Sequence, residues 1–348
     1  MVQLNDDLQE RLAAAALRYV TPKSKGYTRK KSGKGFVYLD SKGVKISDKA
    51  LKAWINTLVI PPAWQNVWIA THKNAHILVT GRDDKGRKQY IYHPLWQQMA
   101  SEKKFGDLVA FGESLPTLRR ALDHDLRQKT LTQRKVVALV VALLGRTLIR
   151  IGNQEYARDN ETFGLTTLND DHVEVEGATV RFSFVGKSKK SHEITLKDKR
   201  LARVIRACQE IPGFSLFQYY DADGNPHAID SAHINQYLLD VTGQPFTAKV
   251  FRTWGGSVDM IHELCLVDRE TIKNHETCIR AGVKAVSKIL GNTTSVCRAY
   301  YVHPVVLDAF LADTLHGALE AIQTPNDGYA LEPEEQLLMT LMRASIAA

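Results

Sequence analysis

The spacing of apolar side chains changes near residue 98 and divides the chain into two parts. Between residues 27 and 93, apolar and polar positions alternate in short runs bounded by Gly, Pro and polar residues, which is typical of β-strands. A helical pattern at 4–19 precedes these runs. We therefore predict a small β-rich N-terminal domain over residues 1–98. Its predicted strands are 36–39, 67–71, 76–80 and 88–92.

From residue 99 onward, apolar positions recur every three or four residues, which is the helical period. One group of short alternating runs interrupts the helices and predicts a three-stranded β element. We expect an α+β fold with a larger, mostly helical domain over residues 99–348. Predicted strands are 172–175, 178–185 and 192–196, and predicted helices are 118–126, 132–151, 197–211, 231–242, 247–266, 269–290, 305–322 and 332–347.

The formal net charge of +8 is concentrated in the first part of the chain. Residues 1–100 hold 17 Lys and Arg against 7 Asp and Glu, a net of +10, whereas the remainder holds 29 against 31, a net of −2. A basic module of this kind suits the binding of a polyanion such as DNA. Charge alone leaves a merely solubilising basic surface equally open.

Several classes of protein are excluded by missing motifs. The four cysteines lie far apart without a CxxC pair, which indicates neither a zinc site nor a disulfide framework and favours the reducing cytoplasm. The most apolar run, 136–144, is too short to span a bilayer, and we see no signal peptide. GKS at 186–188 lacks the preceding glycine of a phosphate loop, since Arg181 stands there. We therefore predict no membrane segment, no metal and no cofactor.

The candidate chemistry lies in KILGNTTSVCRAYYVHP at 288–304, which contains the adjacent tyrosines Tyr300 and Tyr301. A phenol with a pKa near ~10 attacks slowly at neutral pH, so it needs cations around its electrophile. Three cations stand upstream, Arg150, Lys187 and Arg252. Each residue also has an ordinary structural interpretation, and the residues alone do not separate the two tyrosines.

These motifs resemble the active site of type IB DNA topoisomerases. The matching segments are LIRIGNQEY around Arg150, FVGKSKKSHE around Lys187, KVFR ending at Arg252, Asn292, and Tyr301 before Val-His-Pro. YTRKKSGKGFVYLD, IPPAWQNVWIA and GRDDKGRKQYIYH resemble the DNA-clamping domain of the bacterial and poxvirus-like branch. The resemblance covers most of residues 27–304. Poxvirus and nuclear members carry histidine at the position of Asn292, whereas bacterial relatives also carry asparagine there.

The resemblance implies relaxation of supercoiled duplex DNA through transient cleavage of one strand, strand rotation and religation, without ATP or metal. Tyr301 would be the nucleophile that forms a 3′-phosphotyrosyl bond. Arg150, Arg252 and Asn292 would bind the scissile phosphate, and Lys187 would protonate the departing 5′ oxygen. The alternative is a tyrosine recombinase or integrase-like enzyme that exchanges strands. Such enzymes usually carry HxxR where this chain has KVFR.

The resemblance also implies DNA contacts outside the catalytic set. We expect a monomeric C-shaped clamp around double-stranded DNA, acting in the cytoplasm in association with the nucleoid. Preferences for DNA sequence, for the sign of supercoiling or for RNA do not follow from the sequence. The predicted DNA-binding residues are Arg82, Lys85, Arg87, Lys88, Gln89, Tyr90, Tyr156, Lys189 and Lys190.

Overall fold

The chain folds into two compact units, Met1–Lys104 and Phe105–Ala348, and the helix α3 (Pro94–Leu126) runs through the junction and through residue 98. The predicted α+β class is confirmed. The computed structural model describes residues 6–33, 35–324 and 327–347, with only the backbone described at 6–7, 100–104 and 155–156.

The first unit is built on a five-stranded antiparallel sheet with the strand order β2-β1-β3-β4-β5. Four of its strands match the predicted runs within about two residues. β1 was missed because it reads GYTRKKS, with one large apolar side chain, and its pairing with both neighbours makes it a strand. The strands are β1 (Gly26–Ser32), β2 (Gly35–Leu39), β3 (Gln65–Ala70), β4 (Ile77–Arg82) and β5 (Lys88–Tyr92).

One face of this sheet forms the core of the first unit. Ile69 and Val79 are fully buried and belong to one cluster with Ile55 of helix α2 (Lys49–Thr57), which the sequence pattern did not predict. The helix expected at 4–19 is α1 (Asp6–Ala14), and residues 4 and 5 lie outside the described part.

The second unit is mostly helical, with a three-stranded antiparallel sheet and a short hairpin. The sheet strands are β6 (Val173–Glu176), β7 (Thr179–Gly186) and β8 (Lys190–Lys197), and the hairpin is β9 (Gln218–Tyr220) with β10 (Pro226–Ala228). Besides α3, its helices are α4 (Gln133–Thr147), α5 (Gln154–Asn160), α6 (Lys199–Gln209), α7 (Ser231–Thr242), α8 (Lys249–Cys265), α9 (His275–Ile289), α10 (Thr294–Tyr300), α11 (Pro304–Leu311), α12 (Leu315–Glu320) and α13 (Pro333–Ala347).

The centre of this unit is α4, whose apolar run 136–144 is buried almost all round. A helix that is apolar on every face needs neighbours on every face, and α4 packs against α6, α7 and α8. In the part of the chain that the structure describes, no helix is long and apolar enough to cross a membrane.

Two predicted helices are interrupted by left-handed residues before their apolar pattern ends. The helix expected at 132–151 stops at Thr147, because Leu148 adopts a left-handed conformation with φ of 53°. The helix expected at 305–322 is broken into α11 and α12 near Asp313, which has φ of 57°. The segment directly before Tyr301, for which no helix was predicted, forms the short helix α10, capped by the Thr293 side chain.

Candidate active site

Arg150 is held in an extended segment just after the left-handed turn at Leu148. The carbonyl of Arg150 accepts a hydrogen bond from the Leu165 amide at 2.8 Å. Gly164 lies so close that a Cβ there would meet this carbonyl at 2.5 Å. The guanidinium of Arg150 donates to the side-chain oxygen of Asn292, and to the Gly291 carbonyl at 3.4 Å.

Arg252 lies on α8 and is almost completely buried, with 4% of its surface exposed. Its guanidinium donates to the Leu148 carbonyl and, at 2.7 Å, to the Leu290 carbonyl. Burial, and then the positive charge of Arg150, lower the pKa of Arg252 to about 10. The group remains a cation at neutral pH. Since its two carbonyl partners directly precede the segments of Arg150 and Asn292, Arg252 ties those segments together.

Tyr301 follows α10 directly and lies beside Arg252. The guanidinium carbon of Arg252 is 5.1 Å from the centroid of the Tyr301 ring, and the two side chains share a hydrogen bond. The Tyr301 amide donates to the Cys297 carbonyl at 2.9 Å, which fixes the backbone at the end of α10. Tyr300, in contrast, has 49% of its surface exposed. The structure thus places Tyr301 within the arginine cluster.

Two residues of α8 that sequence reasoning missed hold the backbone of Tyr301. Gly256 lies one turn after Arg252, and a Cβ there would meet the Tyr301 carbonyl oxygen at 2.8 Å. The hydroxyl of Ser257 accepts from the His303 amide at 2.9 Å and lies 3.3 Å from the Tyr301 carbonyl oxygen. The available signal was the Gly255-Gly256 pair inside a helix, since such glycines often mark a close approach.

Asn292 occupies a turn that follows the left-handed Gly291. The backbone amide of Asn292 donates to the Ser287 carbonyl at 2.9 Å, and its backbone carbonyl accepts from the Lys190 ammonium at 2.7 Å. Among the described residues, neither Asn292 Nδ2 nor Arg252 Nε has an acceptor, although both atoms are buried. Two donors of the cluster are therefore left for an anion.

The structure does not bring Lys187 into contact with the other four predicted catalytic residues. Lys187 lies exposed at the tip of the β7–β8 hairpin, where Ser188 and Lys189 adopt left-handed conformations with φ of 66° and 56°. Lys189 is exposed as well. Lys190, predicted as a DNA contact, is the hairpin lysine that reaches the Asn292 turn.

His192 on β8 is a further residue of this site that the sequence did not single out. Its ring stacks on Phe184, with centroids 5.0 Å apart and planes 11° apart. Burial, and then the positive charges of Arg150, Arg252 and Lys190, lower the pKa of His192. The imidazole is therefore neutral at physiological pH.

The outer edge of the site is a cleft of about 370 Å³. The described residues that line it carry cationic, imidazole, hydroxyl and amide groups, and no carboxylate is among them. Such a lining binds anions rather than cations. The lining residues are Lys190, Ser191, His192, Ser287, Lys288, Gly291 and Asn292. Among the described residues, no group of three or more His, Cys, Asp or Glu side chains is placed to hold a metal ion.

The predicted DNA-contacting hairpin of the first unit is organised by Asp83. The Asp83 carboxylate accepts from the Arg87 side chain at 2.8 Å and from Gln89 at 2.9 Å. These hydrogen bonds, that of Arg87 above all, lower the pKa of Asp83 to about 2. Arg82 donates to the Gly86 carbonyl at 2.6 Å, while Lys85 is exposed. Arg82, Arg87 and Gln89 therefore brace the turn.

Lys88 and Tyr90 lie on the sheet face opposite the core. The Lys88 ammonium is 5.4 Å from the Tyr90 ring centroid, and Tyr90 stacks on Tyr92 at 5.6 Å. A groove of about 1370 Å³ opens beside Lys88, and sequence reasoning missed three of the cations that line it, Arg18, Lys23 and Lys25. The side chain of Tyr156, also predicted to contact DNA, lies outside the described part.

Two family models match the chain. The model described as the catalytic core of eukaryotic DNA topoisomerase I matches residues 93–316. The model described as the N-terminal domain of bacterial DNA topoisomerase IB matches residues 35–83. The first match alone covers more than half of the chain.

Individual relatives and a solved structure were also compared. The DNA topoisomerase 1B of Acanthamoeba polyphaga mimivirus is 32% identical over 294 residues, which cover 82% of this chain and 87% of the viral protein. The DNA topoisomerase 1B of Vaccinia virus (strain Copenhagen) is 21% identical over 237 residues, covering 67% and 72%. The XerH site-specific recombinase bound to difH superposes with a TM-score of 0.32 at 13% identity over 63% of this chain and 55% of XerH, too loosely to carry an argument.

Proposed function

Because the chain belongs to the type IB DNA topoisomerases, we propose that Tyr301, Arg150, Arg252, Asn292 and Lys187 form its active site. The enzyme relaxes supercoiled duplex DNA by cutting one strand transiently, letting it rotate about the intact strand and rejoining it. Neither ATP nor a metal takes part, because the energy of the broken phosphodiester is kept in a phosphotyrosine.

In the proposed cleavage step, the phenol oxygen of Tyr301 attacks the scissile phosphorus and gives its proton to solvent water. A phosphorus–oxygen bond to the tyrosine forms, and the bond to the 5′ oxygen breaks. Lys187 donates a proton to that departing oxygen, giving a free 5′ hydroxyl and a 3′-phosphotyrosyl strand. Religation is the reverse attack by the 5′ hydroxyl after rotation.

The observation that carries this proposal is the pair of buried donors without acceptors, Arg252 Nε and Asn292 Nδ2. Buried N–H groups are normally satisfied, and the phosphate oxygens of DNA would satisfy both. The guanidinium of Arg150, already bonded to Asn292, adds a planar fork suited to two non-bridging oxygens. Loss of one such donor should slow cleavage by roughly 10²-fold or more.

Lys187 is retained as the general acid on the family resemblance, and its ammonium is exposed at the hairpin tip. Lys189 is equally exposed, whereas Lys190 is engaged with the Asn292 carbonyl at 2.7 Å. An ammonium is a chemically suitable proton donor to a departing alkoxide. This role requires the tip to approach the phosphate when DNA binds.

The first unit supplies the proposed grip on duplex DNA, within an N-terminal clamping domain at residues 1–98. Lys88 and Tyr90 lie on its open face, and the cationic groove beside them extends the surface that can follow phosphates. A protein held mainly through phosphates should lose affinity steeply with salt. We propose a monomer that closes around DNA as a clamp and acts at the bacterial nucleoid.

The test is relaxation of a supercoiled plasmid with EDTA present and ATP absent. Wild type should relax the plasmid and form a covalent protein–DNA adduct. Tyr301→Phe should do neither, whereas Tyr300→Phe, the matched control, should do both. Covalent linkage by Tyr301→Phe would refute the assignment. Strand exchange between two duplexes would instead favour a tyrosine recombinase, for which no observation speaks at present.

A further inference from the structure

The imidazole of His192 lies between two glycines, and each glycine directly precedes a residue of the proposed active site. Gly186 precedes Lys187, and a Cβ on Gly186 would meet His192 Cδ2 at 2.7 Å and Nε2 at 2.8 Å. Gly291 precedes Asn292, and a Cβ there would meet His192 Cε1 at 2.4 Å and Nε2 at 2.9 Å. One edge of the ring thus touches the backbone of both segments.

Packing, rather than hydrogen bonding, fixes the position of this ring. The ring of His192 stacks on that of Phe184. The ring centroids of Phe184 and His172 are 6.5 Å apart, and those of His172 and Phe163 are 4.3 Å apart. The Phe163 amide also donates to the Val185 carbonyl at 2.8 Å. The row of four rings therefore anchors the base of the β7–β8 hairpin in the second unit and ends at the Asn292 turn.

We propose that His192 is a positioning residue that sets the distance between the hairpin carrying Lys187 and the turn carrying Asn292. This inference rests on the proposed function. A flat ring fits where both neighbours have no side chain, and tight packing transmits its position to each. Removing the ring should let the hairpin base collapse or slide, so that Lys187 loses its aim at the leaving oxygen while the phosphate donors stay in place.

The charged side chains around His192 explain why a neutral ring stands at this position. Lys190 faces it from its own strand, Arg150 and Arg252 from the segments behind it, and Lys288 lines the same cleft from α9. A positively charged side chain among these cations would repel them and weaken the turn. A carboxylate would instead pair with the arginines that are meant for phosphate.

The experiment compares two leaving groups in single-turnover DNA cleavage by His192→Ala. One substrate has the natural 5′ oxygen at the scissile bond, and the other has sulfur at that bridging position. A thiolate is a far weaker base than an alkoxide, so it departs without a proton and bypasses the general acid. His192→Ala should be slowed about tenfold or more on the oxygen substrate and should stay within about threefold of wild type on the sulfur substrate, as expected for mispositioned general-acid catalysis.

Two further variants make the result decisive. Lys187→Ala should show the same split between the substrates, with slowed cleavage of the oxygen substrate and nearly wild-type cleavage of the sulfur substrate. A loss of cleavage rate on both substrates would refute the role of Lys187 as the acid and the His192 proposal with it. His227→Ala, on β10 and outside this row of rings, is the control and should keep the wild-type ratio between the substrates. If His192→Ala is slowed equally on both, or cleaves like wild type while Lys187→Ala shows the split, the positioning role is wrong and the proposed function stands.

Discussion

Replacing Gly256 by alanine should slow cleavage by displacing the segment that carries Tyr301, while the side chains of Arg150, Arg252 and Asn292 stay in place. The added Cβ would lie 2.8 Å from the Tyr301 carbonyl oxygen and 3.3 Å from the Tyr301 Cβ. The Tyr301 carbonyl belongs to the backbone, so it cannot swing aside as a flexible side chain would. The segment that carries the phenol must therefore move away from α8.

The size of the effect follows from this contact. Restoring an ordinary separation of about 3.4 Å requires a shift of roughly 0.6 Å, and a misplacement of ~1 Å can reduce a rate by ~10²-fold, so we expect a loss of about tenfold or somewhat more. Overpacking costs about 1–3 kcal/mol, and the better helix propensity of alanine offsets roughly 0.5–1 kcal/mol of it. The net destabilisation should be about 0–2.5 kcal/mol, a decrease of several degrees in Tm at most.

The assay is single-turnover cleavage of a short duplex under saturating enzyme, with DNA affinity and thermal unfolding measured in parallel. Gly145→Ala on α4 is the matched control, because its Cβ would lie 3.7 Å from the Phe251 ring, an ordinary contact. That variant should cleave like wild type and be slightly more stable, since alanine favours the helix. Gly256→Ala should bind DNA with unchanged affinity.

The reasoning fails if Gly256→Ala cleaves at the wild-type rate with an unchanged Tm. It also fails if cleavage and DNA affinity fall together, because the arginine and asparagine donors would then have been disturbed as well. A tenfold loss shared by Gly145→Ala would show that α4 and α8 respond to any added methyl group.

Two further predictions concern pH. Burial raises the pKa of Asp259 to about 6, so the folded state binds an extra proton between about pH 4 and 6 and its stability falls as pH rises through that window. The stability of Asp259→Asn relative to wild type should therefore be higher at pH 8 than at pH 4, by about 1–3 kcal/mol. A difference in Tm between the two proteins that is equal at both pH values would count against this. Asn292 does not titrate and the pKa of His192 is lowered, so the cleavage rate should be independent of pH around ~6.5. Asn292→His should introduce a step in the cleavage rate near that pH. A step there in the wild-type rate would contradict the assignment.

Much of the fold could be predicted because local periodicity decided it. β5 and α7 have the predicted bounds, since an alternating run and a helix capped by Asp230 and ended by Gly243 carry their own signals. β1 could not be predicted, because its strand character comes from two neighbours rather than from its own polar residues. The end of α4 depended on a left-handed Leu148, which no apolar pattern announces.

The candidate site shows the same division between local and tertiary information. The sequence supplied the residue types, and the family resemblance, rather than the residues alone, selected Tyr301 over Tyr300. The structure places Tyr301 beside Arg252 and leaves half of the Tyr300 surface exposed. His192 and Gly256 escaped because their importance lies in contacts with segments about 45 to 100 residues away. Such pairings are set by how α8, α9 and the β7–β8 hairpin pack, which no single stretch encodes.

The exposed position of Lys187, apart from Arg150, Arg252, Asn292 and Tyr301, has a consequence for genome integrity. In the proposed mechanism, the groups that hold a phosphate are already assembled in the DNA-free protein, while the proton that frees the 5′ end is kept at a distance. Recognition and scission would then be two separate events, and a duplex would be nicked only after it draws the hairpin inward.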